Sequence, residues 1–386
     1  MADKTKIEWT GATWNPIRAR SIAADGTERK GWHCEHASEG CRNCYAETFN
    51  KRLGTGFDYK PGHLRGDVEV YLDEKMLLQP LKWKKARQIF VCSMTDLFAD
   101  FVTDEMLDRV FAVMAQSPQH IFQVLTKRSA RMRAYLSQHR WHKWAALARE
   151  LRDQFPKLRT PDIRGGDCCP VPNVWLGVSV ENQAAADERI PDLLATPAAL
   201  RWLSCEPLLG PVDLSALMFI DEECPNWEME GSTPIQDPET GQQECCRNCD
   251  YTGIISVPKI DWVVAGGESG CGARPMHPDW ARRLRDQCAA ADVPFFFKQW
   301  GAWGPAGCVE NEGIEDINRG FTKWEYGHFD YHYDFQIDAL ARSSRGHVDE
   351  AYGLKYSGEP DVAMWRVGKK AAGRLLDGVL HDGMPG

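Results

Sequence analysis

The chain has 386 residues, 43% of them hydrophobic, a length that accommodates one large α/β domain with insertions or two average domains. Its formal net charge of −9 argues against broad, nonspecific binding of phosphate backbones. No apolar run reaches about 18 residues and the amino-terminal segment is polar throughout, which argues against a membrane span and a signal peptide, so we expect a cytoplasmic protein without a membrane partner.

Short β-branched and aromatic runs alternate along the chain with stretches that suit helices. The runs lie at residues 7–13, 89–93, 121–126, 174–180, 200–205, 262–265 and 293–298. This alternation is typical of βα units that build a parallel sheet. Several runs are almost continuously apolar, as in residues 121–125, which suits strands covered on both faces. The sequence therefore predicts an α/β fold.

A cysteine cluster follows the first run, at Cys34, Cys41 and Cys44, with the spacing C-x6-C-x2-C. Clustered cysteines in a reducing compartment more often bind metal than form disulfides. Three thiolates ligate three irons of a [4Fe–4S] cluster and leave the fourth iron open. The alternative is a zinc site completed by His33 or His36.

Polar residues follow the later runs, where the carboxyl ends of parallel strands form the active face of barrel-like folds. They are Ser93, Thr95 and Asp96 after the second run, Ser179 and Glu181 after the fourth, Glu206 after the fifth, and Gly266, Gly267 and Glu268 after the sixth. Any one of these endings is equally explained by turn and helix-cap chemistry. The repetition of polar residues at several strand ends favours a binding or catalytic site at this edge of the sheet.

An insertion at residues 216–258 interrupts the βα alternation with proline, glycine and acidic residues. It carries Cys224, Cys245, Cys246 and Cys249, which resemble part of a zinc ribbon. Four thiolates would bind a structural zinc ion, and the open alternatives are a second iron–sulfur cluster or no metal. We expect a barrel domain at residues 1–300 with this insertion, and a carboxyl-terminal extension at 301–386 that packs on the barrel.

Several segments together resemble a known family, the bacteriophage gene product 37 / gene product 68 family. The segments are residues 7–16, 40–47, 93–98, 266–270 and 367–378. That family is similar to radical S-adenosylmethionine (radical SAM) proteins, in particular to the spore photoproduct lyase group. It shares the C-x6-C-x2-C spacing, whereas C-x3-C-x2-C is the commonest radical SAM spacing. Residues 17–33, which the family lacks, read as a surface insertion.

The resemblance implies a partial (β/α)6 TIM-like barrel and an enzyme whose cluster, on Cys34, Cys41 and Cys44, cleaves S-adenosylmethionine (SAM) to a 5′-deoxyadenosyl radical. Tyr45 would lie near the SAM adenine, and the polar strand-end residues given above would bind the rest of SAM. The implied partners are an electron donor such as flavodoxin or ferredoxin, and nucleic acid or a nucleotide as substrate.

Other features of the sequence bear on the substrate and on the rival function. The basic runs near Lys82 and Lys127, with Lys369, would line a phosphate-binding groove, and Trp300 and Trp303 would stack bases if they are exposed.

The alternative function is a non-catalytic zinc-binding protein that binds nucleic acid or a protein partner. The sequence singles out no catalytic acid, base or hydrogen donor, no reaction outcome and no oligomeric state.

Overall fold

A computed structural model describes residues 5–22, 25–60, 68–138, 140–154, 170–215, 260–305 and 362–386, and short strands within 221–256 and 341–354. The described strands are β1 (Ala12–Trp14), β2 (Ile17–Ile22), β3 (Glu28–Gly31), β4 (Glu69–Leu72), β5 (Gln88–Val91), β6 (Ile121–Thr126), β7 (Val174–Ser179), β8 (Leu200–Cys205), β9 (Asp221–Glu223), β10 (Ile235–Gln236), β11 (Gln243–Glu244), β12 (Ile254–Ser256), β13 (Trp262–Gly266), β14 (Phe295–Gln299), β15 (Trp303–Pro305), β16 (Ala341–Arg342), β17 (Val348–Asp349), β18 (Ala351–Leu354), β19 (Val362–Arg366), β20 (Leu375–Leu376) and β21 (Val379–Leu380). The described helices are α1 (Tyr45–Leu53), α2 (Glu74–Leu77), α3 (Gln79–Lys82), α4 (Asp104–Ala115), α5 (Ser129–Leu136), α6 (Trp141–Gln154), α7 (Gln183–Leu194), α8 (Pro278–Ala290) and α9 (Lys369–Ala372). None of these helices is long and apolar enough to cross a membrane.

The central element is a seven-stranded sheet in the order β1-β5-β6-β7-β8-β13-β14. Every neighbouring pair in it is parallel, so the strands follow the chain from one edge to the other. Right-handed crossovers between such strands place the helices on one face. The sheet curls into a half-barrel, which confirms the predicted α/β fold and its likeness to a partial TIM barrel.

All of the predicted strands are present, and the first is the one whose bounds differ most. It begins at Ala12 rather than at residue 7, because the chain first turns, with the Thr10 amide donating to the Ile7 carbonyl at 3.4 Å. The turn places the Trp9 ring against Phe90 and Trp202, at centroid distances of 4.8 and 5.1 Å. The apolar residues before Ala12 therefore pack as a turn and not as a strand.

A tryptophan layer fills the amino-terminal half of the concave face of the half-barrel. It is formed by Trp9, Phe90, Trp175, Trp202, Trp262, Val264 and Phe296. Apart from Trp9, each of these residues stands within the first three positions of its strand. Neighbouring residues such as Leu203 and Val263 point to the other face and join the main core, as strand alternation requires. The polar strand ends therefore lie beyond the tryptophan layer.

The described part of residues 17–33, predicted to be a surface insertion, contains the strands β2 and β3. β2 pairs in antiparallel fashion with both β3 and β4, and buries Ile17 and Ala19 on one side. Asn50 in α1 accepts hydrogen bonds from the amides of Trp32, at 3.0 Å, and Thr55, at 3.2 Å. This small sheet and α1 thus hold the two ends of the cysteine segment.

The segment that begins at Val362 covers the indoles of Trp300 and Trp303, and the expectation that these are exposed is wrong. β19 pairs with β15, which contains Trp303. Trp300 Nε1 donates to the Leu375 carbonyl at 2.8 Å, and Trp303 Nε1 donates to the Ala273 carbonyl at 2.7 Å. Both rings are fully buried, so they are unavailable to stack bases.

Candidate metal centre at the carboxyl ends of the strands

The three cysteines lie in one segment between β3 and α1, which we call the cysteine loop (residues 33–45). Its 3₁₀ turn (Glu39–Cys41) begins after Ser38, whose carbonyl accepts from the Cys41 amide at 3.0 Å. The Cys44 amide donates to the Cys41 carbonyl at 3.2 Å, and Cys44 immediately precedes α1. The short spacing between Cys41 and Cys44 therefore brings both residues into one turn.

Burial determines the acidity of two of the thiols. Cys34 and Cys44 pack against an apolar cluster made of Trp32, Ala46, Tyr59 and Met94. Burial, with the Asp96 carboxylate adding to it, raises the pKa of Cys34 to about 12, and burial also raises the pKa of Cys44. Because cysteine ligates metals as the thiolate, a metal that binds this loop has to displace the thiol protons.

The three thiols of the loop are donors that suit either an iron–sulfur cluster or a zinc ion completed by a histidine. Within the described residues, no three His, Cys, Asp or Glu side chains are grouped closely enough to hold one metal ion. His33 Nε2 lies 3.8 Å from Glu35 Oε1, and His36 Nε2 lies 2.5 Å from Glu47 Oε2. Both candidate zinc ligands thus contact carboxylates.

The residues that follow β5 hold the two ends of the cysteine loop. The Tyr45 hydroxyl donates to the Ser93 carbonyl at 2.5 Å, and the Thr95 hydroxyl donates to the His33 carbonyl. Asp96 Oδ2 accepts from Arg128 at 3.1 Å, and a second nitrogen of Arg128 donates to the Glu35 carbonyl at 2.9 Å. These strand-end residues therefore contact the loop itself.

The middle of the loop is anchored by Glu181, which follows β7. One oxygen of Glu181 accepts from Ser38 Oγ at 2.6 Å and from Lys127, and the other accepts from Arg189 at 2.8 Å. Burial alone would raise the pKa of Glu181, but the two cations outweigh it and hold that pKa at about 2. A Cβ on Gly40 would come 2.5 Å from Glu181 Oε1, so the loop backbone approaches this carboxylate as only glycine permits. Ser179 is buried nearby, with its carbonyl accepting from the same arginine.

A third anchor comes from Glu268, which follows β13. Its Oε2 accepts from Asn43 Nδ2 at 3.0 Å and from Arg274 Nε at 2.9 Å. Burial opposes ionisation, but hydrogen bonds from Arg274 lower the pKa of Glu268 below its usual value. Arg274 also donates to Glu39 Oε1 at 3.1 Å. The loop is thereby fixed across three strand ends of the half-barrel.

Glu206, Gly266 and Gly267 have a different arrangement from the three anchors. Glu206 Oε1 lies 3.1 Å from Lys298 Nζ, in an ion pair between the ends of β8 and β14 that is mostly buried. Gly266 adjoins this pair, since a Cβ there would come 2.7 Å from Glu206 Oε1. A Cβ on Gly267 would come 2.0 Å from the Trp300 carbonyl, so glycine serves close backbone packing there.

Sequence reasoning missed several of the residues that hold this site. Ser38, Asn43, Arg189 and Arg274 received no role, although each contacts a strand-end carboxylate that the sequence did identify. Lys127 was assigned to a phosphate-binding groove, but it pairs with Glu181. The polar residues inside the cysteine loop could have indicated these contacts, because a loop that covers a site needs hydrogen-bond partners at the strand ends.

Arg131, which belongs to the basic run near Lys127, and Lys369 also have partners within the chain. Arg131 donates to the carbonyls of Ala99 and Val102, at 2.5 and 2.6 Å. Lys369 lies 3.1 Å from Glu8 Oε1. The cysteines of the insertion, Cys224, Cys245, Cys246 and Cys249, lie outside the described residues, so their metal binding stays a prediction.

The described residues thus join the cysteine loop to the ends of β5, β7 and β13, with Glu206 and Lys298 beside them. No curated protein and no solved structure gives a significant match to the chain. A family model matches residues 4–385, which is almost the whole sequence. The chain therefore belongs to the family described as a protein of unknown function, DUF5131.

Proposed function

We propose that this protein is a radical SAM enzyme whose Cys34, Cys41 and Cys44 hold a [4Fe–4S] cluster with one open iron. The observation that carries the proposal is the fixed position of the three-cysteine loop across the carboxyl ends of a parallel half-barrel. When bound, such a cluster passes one electron to SAM, whose cleavage gives methionine and a 5′-deoxyadenosyl radical. The similarity of the sequence to the gene product 37 / gene product 68 family supports the same function.

Within this function, the strand-end residues divide into two groups by what they contact. Ser93, Thr95 and Glu181 contact the loop, and we assign them to positioning the thiols, as we do Asp96 and Glu268. Rigid support of this kind keeps ligands in place as the metal loads. Tyr45, with its hydroxyl held by Ser93, keeps an exposed ring available to stack on the adenine of SAM.

The Glu206–Lys298 pair is not among the contacts that anchor the cysteine loop, so we assign it to the recognition of polar groups of SAM or of substrate. Its two side chains are only partly exposed and come from the ends of β8 and β14. The tryptophan layer lies on the same concave face, nearer the amino ends of the strands, and excludes water from that side of the site. An ion pair in such a sheltered place interacts strongly with charged ligands.

The proposed substrate is nucleic acid or a nucleotide, and this part of the proposal rests on resemblance to the spore photoproduct lyase group. The net charge of −9 and the internal pairing of Lys127 and Arg128 limit the area that could bind a phosphate backbone. A single flipped base or a free nucleotide needs fewer phosphate contacts than a long duplex does. We therefore favour recognition of a single nucleotide unit.

Reductive cleavage of SAM tests the function directly. The protein is purified and reconstituted with iron and sulfide under anaerobic conditions, then incubated with dithionite and SAM. Chromatography should detect 5′-deoxyadenosine and methionine in equal amounts. The Cys44→Ala variant should form neither product. A preparation that contains zinc and no iron, and yields no 5′-deoxyadenosine after reconstitution, would instead establish the non-catalytic zinc-binding protein.

A further inference from the structure

Helix α1 buries its polar side and exposes its apolar side. Ala46, Glu47 and Asn50 are buried, whereas an apolar stripe formed by Tyr45, Phe49 and Leu53 is exposed by 57%, 45% and 59%. Residues at this four-residue spacing lie along one face of a helix. A surface helix ordinarily turns its apolar face toward the core. The reversed orientation of α1 therefore requires a separate explanation.

Specific polar contacts fix this orientation. Glu47 contacts His36 Nε2 at 2.5 Å and Lys51 Nζ at 2.7 Å. Asn50 is fully buried, accepts from the Trp32 amide at 3.0 Å, and donates to the Thr55 hydroxyl at 2.8 Å. Rotating the helix to bury the apolar stripe would leave these buried polar groups unpaired, which is unfavourable because each would lose its partner without regaining water. The described residues therefore leave the stripe exposed.

The stripe begins at the candidate metal centre and runs away from it. Cys44 directly precedes α1, and Tyr45 contacts the strand end at Ser93. From Tyr45 to Leu53 the helix spans about 12 Å at 1.5 Å per residue. If the protein that covers this stripe carries a redox centre, that centre would lie close to the proposed cluster.

The rim of the stripe is basic, although the chain as a whole is acidic. Arg42 and Arg52 are exposed, whereas Lys51 lies on the side of α1 away from the stripe and pairs with Glu47 and Asp58. This local charge contrasts with the net charge of −9. An apolar centre with a cationic rim is complementary to a partner that has an apolar patch within an acidic surface.

We propose that the exposed face of α1 is the docking surface for an acidic one-electron carrier protein of the flavodoxin type, and this inference rests on the proposed function. In the transfer, the reduced carrier loses one electron and the oxidised cluster gains it, with no bond made or broken. Leu53 has no ring to stack on a base, which favours a protein partner over nucleic acid. Phe49 and Leu53 supply the apolar contact area, whereas Tyr45, at the cluster end of the stripe, is assigned to the adenine of SAM. The basic rim orients the acidic carrier.

Binding of purified flavodoxin to the reconstituted holoprotein tests this surface without any turnover. The double variant Phe49→Ser/Leu53→Ser should raise the Kd measured by calorimetry by about tenfold or more, because it removes the apolar centre. Arg52→Glu should weaken binding most at low salt. The control variant Val379→Ser/Leu380→Ser, which removes two exposed apolar side chains in the β20–β21 hairpin, should bind like the wild type.

Comparing two reductants separates this proposal from the proposed function. With dithionite, the Phe49→Ser/Leu53→Ser variant should cleave SAM at the wild-type rate, whereas with reduced flavodoxin its rate should fall about tenfold. If the wild type cleaves no SAM with dithionite, the proposed function fails. If cleavage occurs but this variant binds flavodoxin like the wild type, the docking surface is refuted. Loss of oligonucleotide binding or of self-association in the variant, with flavodoxin binding unchanged, would refute it as well.

Discussion

The Cys41→Ala variant is expected to lose its iron, from about four iron atoms per chain after reconstitution to almost none, because two thiolates do not retain a cluster that three hold. Cys41 is the best cysteine for this test, since it is partly exposed and lies outside the apolar cluster that contains Cys34 and Cys44. Its removal should leave the far-ultraviolet circular dichroism spectrum unchanged. Iron and acid-labile sulfide are measured per chain.

The matched control is Cys271→Ala, which removes an exposed cysteine from outside the cysteine loop. It should retain the full complement of iron and sulfide. Full iron content in Cys41→Ala would show that the loop is not the ligand set. Iron loss in both variants would assign a ligand role to Cys271 that the present account does not give it.

The Glu181→Gln variant is expected to lower the free energy of unfolding by about 3 kcal/mol, because it leaves two cations without their buried counter-charge. The Glu181 carboxylate contacts Lys127 and Arg189, and Arg189 is itself almost fully buried. The neutral amide oxygen of glutamine accepts from Ser38 less strongly than the carboxylate does, so the variant should also release iron to a chelator faster. Urea denaturation at pH 7 and iron release rates measure the two effects.

The contribution of Glu181 should depend on pH in a defined direction. Its pKa is about 2 in the folded chain, against about 4.3 for an unperturbed glutamate. A carboxyl whose folded pKa is depressed stabilises fully above the unfolded pKa, and loses that stabilisation as the pH falls toward the folded pKa. The difference in unfolding free energy between wild type and Glu181→Gln should therefore be smaller at pH 3.5 than at pH 7.

The control for this series is Glu188→Gln. Glu188 also pairs with Arg189, but its side chain is 71% exposed and the two charged groups are 4.0 Å apart. An exposed pair at that distance contributes little, so this variant should differ from wild type by less than about 0.5 kcal/mol. A Glu181→Gln protein as stable as wild type at pH 7 would contradict the role of Glu181 as an anchor of the loop.

The strands could be predicted from the sequence because their signal is local. Runs such as residues 121–126 and 200–205 are apolar and short, and each ends in polar residues, so their bounds match those of β6 and β8. The first strand was predicted five residues too early, since the apolar Ile7 and Trp9 pack as a turn against the concave face. Local composition does not separate these two uses of apolar residues.

The candidate site was only partly predictable, because the contacts that define it are distant in sequence. The sequence identified Glu181 and Glu268 as site residues and assigned them to SAM. In the structure Glu181 contacts Ser38, 143 positions away, and Glu268 contacts Asn43, 225 positions away. Polar residues at a strand end indicate a site, but the partner of each residue is known only from the position of the cysteine loop in the structure. The burial of Trp303 by β19 is a comparable long-range effect.

Electron paramagnetic resonance of the reduced, reconstituted protein, recorded with and without SAM, tests whether the cysteine loop holds a cluster with an open iron. We expect the signal of a reduced [4Fe–4S] cluster that changes shape when SAM is added, because SAM would chelate the iron that Cys34, Cys41 and Cys44 leave open. A cluster signal that SAM leaves unchanged, or zinc as the only metal bound, would contradict the account.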